Sequence, residues 1–276
     1  MKASKIEVEN AINDYKKQKP QLTELLDFFY SVFNLKEQYI RQTSLILSSK
    51  EDIIQELKSG RYLMESITWS IDKNSFENIF KDLIKILKQR GENTDKFEKL
   101  FLNISDLIPT KFPELMDFVI KDKEDITQSE KDTLSYVLWH TLSVFYKKTA
   151  EIFNGIDYKT YWTKAICPLC GNLPKMSRLN REDGKRILAC FLCWTEWLVP
   201  RISCAYCGNN SQDTLEYFYA NGNKVYRVDI CKVCNKYIKT IDEKLLGRNV
   251  NLEIEDNITY HLDTLAISKG YKNPFL

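Results

Sequence analysis

The chain of 276 residues holds eight cysteines, arranged as four Cys-x-x-Cys pairs. They are Cys167 and Cys170, Cys190 and Cys193, Cys204 and Cys207, and Cys231 and Cys234. Two intervening residues let a tight turn aim both sulfurs at one ion, while backbone amides hydrogen-bond the thiolates. One such knuckle supplies two ligands, so a tetrahedral site takes two knuckles. Gly171 and Gly208 each follow a knuckle, where the backbone wants a positive φ.

The gaps pair the knuckles in order. Nineteen residues separate Cys170 from Cys190 and 23 separate Cys207 from Cys231, each enough for a hairpin that returns the chain to the ion. Only ten separate Cys193 from Cys204, which suits a linker. Cys167, Cys170, Cys190 and Cys193 therefore form one expected site, and Cys204, Cys207, Cys231 and Cys234 the other. Each has four sulfur ligands and no spare position, which is structural or electron-carrying chemistry, not hydrolysis. A tetrahedral set of four sulfurs suits zinc and iron alike, so the expected cofactors are two ions, Fe or Zn. A dithiol redox protein is the competing reading, but that chemistry uses one active pair near a βαβ unit.

The elements that must position these ligands differ between the two halves. From residue 1 to about 155 the pattern is helical. Leu22, Leu25, Leu26, Phe29, Val32, Phe33 and Ile40 repeat with a period near 3.6 residues. Ser48 to Glu51 reads as a capping box, and Gly60 as a stop. Ser75 is placed to cap a helix carrying Phe76, Ile79, Phe80, Leu83 and Leu87, ended by Gly91. Pro113 suits a helix start. Thr127 to Glu130 is a second capping box, before a helix through Leu134, Leu138, Phe145 and Ile152. Such stripes form a groove for a partner helix or, more commonly, pack together. After about Ala165 short β-like runs appear, at 186–188, 195–199, 215–219 and 224–228. A helix is expected from Ile254 to about Lys269. The fold class is thus α+β. Its expected domains are helical residues 1–160, metal units at 161–200 and 201–242, and a C-terminal helix and tail at 243–276.

Composition narrows the function. Hydrophobic residues make up 43% and charged residues 28%, as in a folded soluble protein. The net charge is +2, and eight thiolates with two divalent ions would nearly cancel the basic excess of the cysteine half. That argues against nucleic acid, which needs clustered Lys and Arg. Arg178, Arg181, Lys185 and Arg186 read as solvated loop charge. The longest uncharged apolar run, Thr133 to Tyr146, is short of the roughly 20 residues of a membrane span. Lys2, Lys5, Glu7 and Glu9 leave no apolar signal core, so a cytoplasmic location is expected. His140 and His261 read as packing or surface residues, and the carboxylate pairs Glu182-Asp183 and Asp242-Glu243 as surface. No nucleophile elbow, P-loop, dinucleotide fingerprint or zinc-protease motif occurs. Trp194, Trp197, Tyr206, Tyr217, Phe218 and Tyr219 crowd the metal units, where a small stapled domain needs them as core.

Beyond the ligands, the sequence resembles the formate dehydrogenase accessory proteins, the FdhE family. The resemblance runs through Cys167-Pro168-Leu169-Cys170-Gly171, then Cys190-Phe191-Leu192-Cys193-Trp194-Thr195-Glu196-Trp197 and Arg201. It continues through Cys204-Ala205-Tyr206-Cys207-Gly208-Asn209 and Cys231 to Lys239. It ends with Asp263-Thr264-Leu265-Ala266 and Gly270 to Phe275. It covers roughly 165 to 276, and the helical half matches in length and character. It implies a helical domain followed by two rubredoxin-like (zinc-ribbon-like) units. It also implies a cytoplasmic maturation factor without catalytic activity, whose partner is the catalytic subunit of a molybdenum- or tungsten-dependent formate dehydrogenase. On this resemblance Thr195, Glu196, Trp197, Arg201, Asn273, Pro274 and Phe275 are candidate partner contacts. The alternatives are an electron carrier with two iron centres, each held by four cysteines, and a nucleic-acid-binding zinc-ribbon protein.

Overall fold

A computed structural model describes residues 5–43, 53–66, 72–92, 94, 97, 127–156, 158, 162–220 and 222–275. The expected capping box at 48–51 and the helix start at Pro113 lie outside these. The chain divides into two compact units. One comprises 1–27, 50–66 and 155–276, the other 28–49 and 67–154.

The second unit is helical. It holds most of α2 (Thr23–Gln42), with α5 (Lys73–Lys88) and α6 (Gln128–Ile152). Phe76, Ile79, Phe80, Leu83 and Leu87 are buried, as are Leu134, Leu138 and Phe145 of α6. The Phe76 and Phe145 rings stack at 6.2 Å, so these stripes pack on each other. The capping box of α6 is complete: Glu130 N donates to Thr127 Oγ1 (3.3 Å) and Thr127 N to Glu130 Oε2 (2.8 Å). For α5 the cap is Asp72, not Ser75. Its carboxylate accepts from Ser75 N at 2.7 Å, because an acid three residues before a free N–H satisfies it as a hydroxyl would. His140 packs within this unit, with Lys36 Nζ 3.3 Å from its Nδ1.

The first unit carries the cysteines on one six-stranded sheet. Its strands are β1 (Pro174–Leu179), β2 (Arg186–Cys190), β3 (Glu196–Val199), β4 (Leu215–Tyr219), β5 (Tyr226–Cys231) and β6 (Lys236–Asp242). The order is β3-β2-β1-β6-β5-β4. All neighbours are antiparallel except β1 and β6, which run parallel. Each metal unit contributes a three-stranded meander, and the parallel contact joins them. β1 and β6 lack a run of alternating apolar residues. Lys175, Ser177, Lys239 and Thr240 lie in them, and of these Ser177, Lys239 and Thr240 are buried.

Helices α1 (Lys5–Gln18), α3 (Ile53–Lys58), α4 (Leu63–Ser66), α7 (Glu243–Leu246), α8 (Leu252–Ile258) and α9 (Tyr260–Ser268) complete this unit. The single helix expected from Ile254 is two. Asn251 caps α8 through its side chain, and the chain turns at Thr259, whose hydroxyl bonds Glu255 O at 2.6 Å. Leu252, Leu262 and Ala266 meet Met176, Tyr226, Val228, Ile230, Tyr237 and Ile241 in one core. Lys239 is only 2% exposed, 2.7 Å from Asp256 and 2.6 Å from Asp263. Charges expected at the surface are inside as well. Arg178 bridges Glu196 (2.8 Å) and the buried Glu243 (2.6 Å), and Arg186 is 3.1 Å from Asp229. A buried guanidinium needs such partners to offset its lost hydration.

Gly171 and Gly208 hold φ values of +73° and +71°. A Cβ at Gly171 would lie 2.7 Å from the Tyr62 ring, whereas at Gly208 it meets nothing within 4 Å. Denaturant unfolding should therefore show Gly208→Ala losing about 1–2 kcal/mol, the left-handed backbone cost alone. Gly171→Ala should lose distinctly more. Combining it with Tyr62→Ala should cost less than the sum of the two single changes. Equal losses at the two glycines would contradict the close approach.

Candidate metal centres

Each cysteine lies where a strand meets a turn. Cys190 ends β2 and Cys231 ends β5, and the other knuckles precede β1 and β4. Within a first knuckle, Gly171 N donates to Cys167 O (3.0 Å) and Cys167 N to Asn172 O (2.8 Å). The second centre repeats this with Gly208 to Cys204 (3.2 Å) and Cys204 to Asn209 (2.7 Å). After each second knuckle a residue turns through positive φ, Trp194 at 55° and Asn235 at 56°.

The sulfurs converge as the spacing predicts. Cys167, Cys170, Cys190 and Cys193 form one group, and Cys204, Cys207, Cys231 and Cys234 the other. In the first, Sγ–Sγ separations are 3.5 Å (Cys167–Cys193), 3.4 Å (Cys170–Cys190) and 3.6 Å (Cys170–Cys193). In the second they are 3.6 Å (Cys204–Cys234) and 3.8 Å (Cys207–Cys231). Disulfide sulfurs sit about 2.05 Å apart. Tetrahedral thiolates at roughly 2.3 Å from zinc sit about 3.8 Å apart. The donor set therefore fits two tetrahedral ions.

The electrostatics point the same way. Burial pushes the Cys167 and Cys190 thiols well up. Burial also opposes ionisation of Cys193, but hydrogen bonds from the other three thiols and from Thr195 hold it well below the usual range. The Thr195 hydroxyl is 3.1 Å from the Cys193 sulfur. Leu192 N donates to Cys190 Sγ at 3.3 Å, and Asn172 Nδ2 to Cys170 Sγ at 3.5 Å. In the second centre Tyr206 N donates to Cys204 (3.4 Å) and Asn209 Nδ2 to Cys231 (3.7 Å). Burial opposes ionisation of Cys231 too, yet the amides of Cys234 and Val233 bring it to about 7. A bound divalent ion supplies the positive charge that lets all four sulfurs ionise together. Tyr158, buried beside the first centre, has its phenol pushed up by burial and then by Cys167, Cys193 and Cys170.

The two centres differ in exposure. All four cysteines of the first are buried, whereas in the second Cys207 is exposed and Cys234 partly so. Segment 62–64 supports the first centre, a role that cysteine spacing cannot reveal. Leu63 N and Met64 N donate to Pro168 O (3.0 Å) and Leu169 O (2.8 Å). Among the candidate partner contacts, Trp197 is buried and donates to Lys164 O (3.2 Å), and Glu196 is held by Arg178. Phe275 stacks on Phe191 of the first centre at 4.3 Å. Asn273 donates to the Tyr237 hydroxyl at 3.0 Å. Arg201 lies at the surface, its Nη1 3.3 Å from Gly184 O.

A closed pair of four-cysteine sites on a shared sheet defines a protein with two candidate metal centres, each offering four protein sulfurs. Comparison with known proteins makes the class particular. Residues 166–201 match the family model described as the FdhE central domain. The chain is 39% identical over 113 residues to an FdhE homolog of Aquifex aeolicus (strain VF5), covering 40% of each chain. It is 30% identical over 146 residues to one from Enterobacter sp. (strain 638), covering 50% of this chain and 47% of that one. These alignments thus span less than half the length of the relatives. In fold it is similar to the crystal structure of the FdhE protein from Pseudomonas aeruginosa. The TM-score is 0.64 and the identity 17%, over 97% of this chain and 92% of that one. The chain is thus similar to FdhE proteins in part of its sequence and in its fold. Among the described residues no helix is long and apolar enough to cross a membrane.

Purified anaerobically, the protein should carry two metal ions per chain. A chelator should remove one equivalent at least about tenfold faster than the other, since Cys207 alone is exposed. Cys207→Ser should abolish the fast phase and keep the slow one, read by metal content against time. Simultaneous loss of both ions would contradict the inequality of the centres.

Proposed function

We propose that this chain is a non-catalytic accessory factor that binds the catalytic subunit of a formate dehydrogenase during its maturation in the cytoplasm. The observation that carries this reading is the pair of closed four-cysteine centres, the first of which lies within the residues that match the FdhE central domain. A site with four protein sulfurs offers no position to a substrate. Its value lies in rigidity: the ions fold and fix a small sheet whose apolar core alone is modest. That sheet then presents a preformed surface to an immature enzyme, and a preformed surface binds at a lower ordering cost.

A second reading, electron transfer to the maturing enzyme, draws on the exposure of Cys207 at the second centre. It requires iron and a reversible transition, so visible absorption and a reduction potential separate the two. Zinc without colour supports docking alone.

Co-purification tests the main reading. A tagged chain should retain the formate dehydrogenase catalytic subunit expressed beside it. Replacing both cysteines of one knuckle with serine, at either centre, should reduce the captured subunit by at least about tenfold. Undiminished capture by a still-folded serine variant would remove the metal-dependent docking idea.

A further inference from the structure

The two cysteine repeats pack head to tail. On its outer edge β1, the first strand of the first repeat, takes β6, the last strand of the second. They run parallel from Met176 opposite Lys239 to Leu179 opposite Asp242. β4 is the counterpart of β1. Pro174 lies opposite Cys190 and Leu215 opposite Cys231, each the first cysteine of its second knuckle. Among the described residues no strand takes the corresponding edge of β4.

The groups on that edge can be assigned. Lys232 N donates to Thr214 O at 2.9 Å, so residues 214 and 232 form a hydrogen-bonded pair. Antiparallel pairs alternate. The backbone groups of Glu216 and Phe218 therefore face β5, and those of Tyr217 and Tyr219 face outward, whereas the Leu215 N–H already donates to Gln212 O. Side chains sort in the same way. Phe218 packs on the core, whereas Tyr217 and Tyr219 share the opposite face with their cross-strand partners Asp229 and Arg227.

Beside this edge lies a groove of about 360 Å³, walled by Arg201, Ile202, Tyr217 and Arg227 together with Asp229 and with Glu216, whose carboxylate is paired with Lys232. Arg186 and Arg227 are both committed to Asp229, at 3.1 and 2.8 Å. Arg201 has no carboxylate partner among the described residues; its Nη1 reaches Gly184 O. Tyr217 is 56% exposed and Ile202 49%. The groove thus offers one uncommitted guanidinium, two apolar side chains and a row of outward N–H and C=O groups. An isolated open edge is a hazard that proteins usually cover.

We propose that the β4 edge is the docking strand. An extended segment of the protein partner adds parallel to β4, as β6 adds to β1. It places a carboxylate on Arg201 and an apolar side chain between Tyr217 and Ile202. This rests on the partner-binding function proposed above and names the surface that performs it. Single-stranded nucleic acid suits the face less well. The Arg227 guanidinium sits 4.8 Å from the Tyr217 ring, over the face a base would stack on, and the chain's net charge is only +2.

The test uses the full-length metal-loaded chain and the formate dehydrogenase catalytic subunit of the same organism. Affinity is measured for wild type, Arg201→Glu, Tyr217→Ala and Tyr217→Pro. Proline at 217 removes an outward N–H and spares the β5 ladder, a position where edge strands tolerate it. Unchanged metal content and melting temperature certify the fold, and Arg201→Glu, on an exposed linker, decides if the proline variant fails that control. Arg201→Glu and Tyr217→Ala should each weaken binding about tenfold, and Tyr217→Pro by roughly a further tenfold. Wild-type binding with every folded variant within about twofold overturns the edge and leaves the function standing. Absence of wild-type binding overturns both. Binding of a single-stranded 20-mer oligonucleotide that Arg201→Glu abolishes assigns the face to nucleic acid and also overturns the proposal.

Discussion

Bringing four thiolates together is the constraint on which the cysteine-bearing unit is built. At the first centre neighbouring sulfurs sit 3.4 to 3.6 Å apart. Two unit charges at such a distance repel by roughly 5 kcal/mol even at an effective dielectric of 20. Burial adds to this at Cys167 and Cys190, whose thiols are pushed well up. The surrounding chain answers with donors aimed at sulfur: the amide of Leu192, the side chain of Asn172 and the hydroxyl of Thr195. Thr195 follows Cys193 by two residues, so its place in the sequence is set by the site and not by strand propensity. Trp197, two further on, turns to the buried side and fixes β3 against the chain at Lys164.

The two repeats support one another. A three-stranded meander by itself buries little apolar surface. The head-to-tail join gives the two meanders one sheet and one core, which α8 and α9 then cover. The join runs through polar residues because β1 and β6 are central strands, and ion pairs hold polar side chains on both of their faces. Arg178 of β1 reaches both Glu196 of its own repeat and Glu243 after the second. Lys239 of β6 fastens the start of α9 through Asp263. Removing one partner of such a pair leaves a buried charge without compensation, which makes these residues part of the tertiary specification.

Legibility followed the same division. Ligands, their pairing and the hairpin between paired knuckles could be read from the cysteine spacing, because a metal knuckle has a fixed covalent reach. The helical half could be read from apolar periodicity and from Thr127 and Glu130. Strands β1 and β6 could not. Their buried Ser177, Lys239 and Thr240 break the alternation that signals a strand, and only the tertiary ion pairs explain them. The surface reading of Glu243 and Arg186 failed for the same reason. Support from residues 62–64 was invisible because contacts between segments a hundred residues apart leave no local pattern.

The C-terminal tail shows what residues beyond the ligands contribute. Asn235 turns the second knuckle of the second centre through positive φ, and the tail receives it: Asn235 Nδ2 donates to Gly270 O at 2.9 Å, and Lys272 N to Asn235 O at 2.8 Å. Three residues later Phe275 stacks on Phe191, in the second knuckle of the first centre. One short segment thus crosses both second knuckles and ties them together. The first knuckles are treated unequally. Residues 62–64 clasp Pro168 and Leu169, while at the other centre Cys207 and the Gly208 after it are exposed. Equal sequence motifs therefore become unequal sites: the first has all four sulfurs buried, and the second keeps Cys207 toward solvent.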